Sequence, residues 1–88
     1  MFPKEITPLV DEVFSSDQTA IEKLSSAFHL IAGFYIEESS NDCQLLRATG
    51  DKESLVKEQI KSSTISHMEK IFNECYFRAT GRVYQKEQ

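Results

Sequence analysis

Apolar residues recur at spacings of three and four along most of the chain, and no long stretch alternates apolar with polar. That is the period of a helix, not of a strand. The first stripe is Ile6, Leu9, Val10, Val13 and Phe14. It predicts a short helix over residues 7–14, with Thr7 as its cap and Pro8 at the first helical position, where a missing N–H costs nothing.

A second stripe, Ile21, Leu24, Phe28, Ile31 and Tyr35, predicts a helix from about residue 17 to residue 38. Thr19 followed by Glu22 reads as a capping box. Gly33 falls inside this helix and costs about 1 kcal/mol against Ala there; so small a residue suits the close approach of another helix. Residues 37–42 are all polar and place acids at a helix C-terminus, which the dipole disfavours. They read as a break, followed by a short helix over residues 42–48. The alternative is an exposed stretch of one longer helix running on through Cys43, Leu45 and Leu46.

Thr49-Gly50-Asp51 is the clearest turn, with Gly50 suited to a left-handed position and Asp51 to the next cap. The third helix is predicted over residues 52–79. Its seam is Ile65, Met68, Phe72, Cys75 and Ala79, with Ile60 and Ile71 close by and Leu55 pointing elsewhere. Gly81 ends it, and residues 81–88 read as a flexible tail.

The expected fold is therefore all-α and a single domain over residues 1–88. It is an antiparallel helical hairpin with a short N-terminal helix, completing a four-helix-type bundle by dimerisation. At 88 residues a lone hairpin has a thin core, so a homodimer is the expected state.

Charge and chemistry narrow the function. The net charge is −4. It is uneven: residues 1–42 carry eight acidic and two basic side chains, and residues 43–88 carry six acidic and eight basic. An acidic chain is a poor default ligand for nucleic acid. No apolar run approaches the roughly 20 residues of a membrane helix, and no secretory signal is visible. With only Cys43 and Cys75 and no C-x-x-C, two free thiols and a cytoplasmic location are expected.

In a hairpin turning near residue 50, His29 and His67 fall within a turn of each other, so a His/His/Cys site with Cys75 is conceivable. Both histidines lie on the flanks of their stripes, however, where a partly exposed imidazole is ordinary. The i, i+3 and i, i+4 ligand pairs of helical metal sites are missing, so no metal or cofactor is expected. Cys75 reads as a core residue on the third seam. Nucleophile elbows and phosphate cradles are absent from the sequence, and the chain is expected not to be an enzyme.

The most distinctive stretch is the C-terminal one. Arg78, Arg82 and Lys86 recur at i, i+4 and i+8 among Tyr76, Phe77 and Tyr84. Tyr and Arg anchor protein interfaces, so Tyr76, Arg78, Arg82 and Tyr84 are the candidate partner-binding residues. The expected function is a small, acidic, non-catalytic protein-binding module that inhibits, chaperones or regulates another protein. The alternative is a small dimeric regulator that contacts nucleic acid through this basic-aromatic segment.

Overall fold

The computed structural model describes residues 2–85. They form three helices, α1 (Thr7–Ser15), α2 (Ala20–Thr49) and α3 (Lys52–Thr80), and no strand is present among them. α1 packs on α2, and α3 packs on α2. The molecule is long and thin, 47 × 28 × 24 Å, with a Cα radius of gyration of 15.3 Å. A compact domain of this length has about 12 Å.

Local signals place the helix ends. Thr19 caps α2, its Oγ1 accepting from the Glu22 N–H at 3.4 Å. Asp51 caps α3, accepting from the Ser54 N–H at 3.1 Å. The bond from the Ser54 N–H, and secondarily the Ser54 side chain, hold the Asp51 carboxyl below its usual range. Gly50 and Gly81 end their helices at φ 77° and 73°, a region other residues enter only at a cost. α1 differs from expectation at its start. Ile6, whose side chain has no polar atom, occupies the cap position, and Thr7 is the first helical residue, its hydroxyl donating back to the Pro3 carbonyl at 2.9 Å.

The predicted break at 37–42 is absent, and so is a separate helix over 42–48: α2 runs unbroken to Thr49. The polar run stays helical because one of its members faces α3. Ser39 is fully buried, and its hydroxyl donates to Glu58 Oε2 at 2.7 Å and to the Glu58 carbonyl at 3.2 Å. The true C-terminus carries Arg47 in its last turn, which suits the dipole.

The larger correction is rotational. The α2 residues facing α3 are Glu22, Ser25, His29, Ala32, Ile36, Ser39, Cys43 and Leu46, all buried or half-buried. On α3 they are Leu55, Glu58, Ser62, Ile65, Glu69, Phe72, Tyr76 and Thr80. Each set keeps the three-four spacing of a helix–helix seam. Cross-contacts join Ser39 to Glu58, His29 to Asn73 and Glu22 to Tyr76, so numbers fall on α2 as they rise on α3. The α2 seam is displaced by one residue from the apolar stripe read in the sequence. Ile21 and Leu24 on that stripe are exposed. On α3, Ile65 and Phe72 do face inward, but Met68, Cys75 and Ala79 are exposed and Leu55 turns inward. Small and hydrogen-bonded side chains make up most of the α2 side of the contact, and Leu55, Ile65, Phe72 and Tyr76 supply large ones from α3.

Two glycines separate backbone strain from side-chain space, since a Cβ at either would meet nothing within 4 Å. Gly50→Ala should destabilise by about 1 kcal/mol through its left-handed φ. Gly33→Ala should stabilise by about 1 kcal/mol, the ordinary helix-interior gain. Urea unfolding of the two variants checks both signs.

Candidate functional site

The four C-terminal candidates do not form one exposed patch. Tyr76 is buried in the α2/α3 seam, and its hydroxyl donates to Glu22 Oε1 at 2.5 Å. Arg82 folds back so that its Nη2 donates to the same oxygen at 2.8 Å. Tyr84 stacks on the His29 ring, with centroids 4.0 Å apart and planes 10° from parallel, and meets Tyr76 edge-on. The segment after Gly81, expected to be loose, thus touches α2 through both Arg82 and Tyr84; Lys86 lies outside the described residues. Arg78 stands apart, exposed and paired one turn back with Glu74 at 3.1 Å. Glu22 is the shared anchor. Its carboxylate serves Tyr76 and Arg82, while Thr19 caps its backbone N–H.

His29 is buried at 5% exposure, not partly exposed on a stripe flank. Its Nδ1 lies 2.7 Å from the Ser25 carbonyl, an acceptor, so that nitrogen carries the proton. Its Nε2 lies 2.7 Å from the Asn73 side-chain amide, with the Glu69 carboxylate 4.0 Å away. The Asn73 atom that meets Nε2 is the amide oxygen, Oδ1. Phe72 meets the same ring edge-on and stacks on Phe28 at 4.4 Å.

The expected meeting of His29 and His67 does not occur. His67 is exposed on the other side of α3, among Val56, Ile60 and Thr64. Cys43 is buried and Cys75 exposed, both as free thiols. Among the described residues no three His, Cys, Asp or Glu side chains group to hold a metal ion.

Sequence reasoning missed a groove. It lies between α1 and α2, about 530 Å³ in volume, with Ile6, Leu9 and Val13 on one wall and Leu30 and Phe34 on the other. Tyr84 and His29 close one end, and Glu37 lies at its edge. Gly33 faces this space, and not another helix. The groove exists because α1 is anchored by Ile6 and Val10, both buried, while Leu9 remains 48% exposed. Only the glycine among bulky neighbours hinted at it in the sequence.

The Glu22 bond, followed by desolvation, pushes the Tyr76 hydroxyl above its usual range. A group raised on folding favours the folded state below its unfolded pKa, near 10. That contribution fades as pH rises through the folded value. The stability difference between wild type and Tyr76→Phe should therefore be constant through neutral pH and shrink above about pH 10. Denaturant titrations at several pH values read this directly. Comparison of the chain with known protein families, curated proteins and solved structures finds no match, so its functional reading rests on this geometry.

Proposed function

We propose that the chain is a non-catalytic protein-binding module that docks onto a partner protein to inhibit, chaperone or regulate it. The observation that supports this reading best is the open apolar groove between α1 and α2. Its walls are five aliphatic or aromatic side chains, and the space above Gly33 is empty. A folded chain of this size gains nothing from leaving such a channel unfilled, whereas a partner segment seated there recovers the burial. The groove lies in the acidic part of the chain, with Glu37 at its edge and Glu12 one turn beyond Leu9. A partner segment with apolar anchors one helical turn apart and basic flanks fits that wall and that charge.

In the same reading the α2/α3 pair is an antiparallel hairpin that works as a homodimeric bundle, and the molecule acts inside the cell. The C-terminal residues contribute by closing the groove: Tyr84 forms its end, and Tyr76 and Arg82 hold Tyr84 in place through Glu22. Direct contact with nucleic acid by this segment is less well supported. Arg78 and Arg82 already answer Glu74 and Glu22, so phosphate contacts would have to displace carboxylates.

Affinity capture from lysate compares four baits: wild type, Gly33→Leu, Glu37→Lys and Arg78→Ala. Gly33→Leu places a side chain in the groove at a position where helix propensity rises, so its fold should survive, as circular dichroism will show. Proteins held by wild type should be lost from Gly33→Leu, reduced on Glu37→Lys and unchanged on Arg78→Ala. Retention on Gly33→Leu with loss on Arg78→Ala would move the binding site to the C-terminal segment and contradict the groove.

A further inference from the structure

The surface area of the chain points to a second, separate interface. The chain exposes 6570 Å². Folded monomers of 10.1 kDa expose about 5300 Å². The excess exceeds the roughly 800 Å² that each partner loses in a stable complex of standard size.

Five exposed apolar side chains of α2 and α3, Ile21, Leu24, Leu45, Met68 and Ile71, lie on one side of the pair, whereas Val56, Ile60 and Phe77 of α3 lie elsewhere. One residue before each seam position on α2 come Leu24, Phe28 and Ile31; the same offset on α3 gives Met68 and Ile71. Because residue numbers run in opposite directions on the two helices, the same offset points to the same side of the pair. Two contacts agree. Phe28 of α2 stacks on Phe72 of α3 on that side. Nearer the Gly50 turn, Asp42 and Leu45 of α2 share a groove with Ser54 and Lys57 of α3. Leu24 is 52% exposed, Met68 48% and Ile71 44%. α1 does not cover this side, since the groove it shares with α2 contains Ser26, Leu30 and Gly33, on the opposite offset.

We infer that this face binds a second copy of the chain, with α2 of one copy lying on α3 of the other and both Gly50 turns at the same end. The inference rests on the homodimer part of the reading above and assigns its surface. The charges select this arrangement. Glu38 and Asp42 border the face on α2, and Lys57 and Lys61 border it on α3, at the same end of the pair; each lysine also meets a carboxylate of its own helix, Glu53 at 3.5 Å and Glu58 at 3.7 Å, in surface pairs that are worth little and can be shared. A two-fold axis along the helices sets the acids of each copy against the lysines of the other. The alternative, α2 on α2, sets neither group against its opposite. An isologous interface must be self-complementary, and only the first arrangement is. The result is a four-helix bundle in which every helix neighbours antiparallel partners. The α1/α2 groove stays open on the far side, free for another protein.

The test is mass in solution by light scattering after gel filtration, over about a hundredfold concentration range. Wild type should run at twice 10.1 kDa. Leu24→Glu with Met68→Glu, both at exposed positions and so compatible with the fold, should weaken association about a hundredfold and run as a monomer. Glu38→Lys with Asp42→Lys should weaken it less, and adding Lys57→Glu with Lys61→Glu to the same chain should restore it. A wild-type monomer throughout would overturn the homodimer reading and this inference together, leaving the groove reading untouched. A wild-type dimer that Leu24→Glu/Met68→Glu leaves intact would overturn the assigned face alone. A dimer that Glu38→Lys/Asp42→Lys weakens, and that adding Lys57→Glu/Lys61→Glu does not restore, would overturn the α2-on-α3 arrangement.

Discussion

Everything in this molecule depends on the seam between α2 and α3, and the facing of that seam is set by small and hydrogen-bonded side chains on α2. Ser25, Ala32 and Ser39 on α2 let α3 come close, and Ser25 and Ser39 are completely buried. A buried hydroxyl without a partner costs roughly 1–3 kcal/mol, whereas a paired one contributes modestly. Ser39 therefore needs Glu58, Ser25 needs the Ile21 carbonyl, and His29 needs the Ser25 carbonyl and Asn73. No side-chain nitrogen or oxygen buried among the described residues lacks a partner. Turning α2 by one residue would bring Leu24 and Ile31 inward, but Ser39 would lose Glu58 and His29 would lose Asn73.

Two consequences follow from that choice. His29, fixed in the seam, offers one ring face to Tyr84, and Glu22 at the end of the seam ties down both Tyr76 and Arg82. The C-terminal segment is thereby part of the fold and shapes the end of the α1/α2 groove. The second consequence is on the opposite flank. Leu24, Met68 and Ile71, which a seam on the apolar stripe would have buried, are left exposed there.

The helices themselves were legible in the sequence. Thr19, Gly50, Asp51 and Gly81 mark ends that the structure places within a residue or two, because caps and left-handed glycines act locally. The all-helical class followed from the three-four spacing. The facing of α2 and α3 was not legible, because hydrophobicity ranks Leu24 and Met68 above Ser25 and Glu69, and the satisfaction of polar groups is decided by residues 19–54 positions away. The supposed break at 37–42 failed for the same reason: only the Glu58 partner explains why Ser39 sits inside a helix. The C-terminal residues were singled out for their chemistry, but their contacts with Glu22 and His29 are long-range and no local pattern announces them. The groove required knowing where α1 lies.

Thiol reactivity tests most directly whether the polar seam faces inward. The apolar stripe of the sequence would bury Cys75; the seam described here buries Cys43 and leaves Cys75 in solvent. The measurement is labelling with a thiol reagent, sites assigned by mass spectrometry, on the Leu24→Glu/Met68→Glu chain so that no second copy covers Cys75. Cys75 should react at the rate of a free thiol and Cys43 only on unfolding. A chain in which Cys43 reacts first, or in which Cys75 is the protected thiol, would contradict the account.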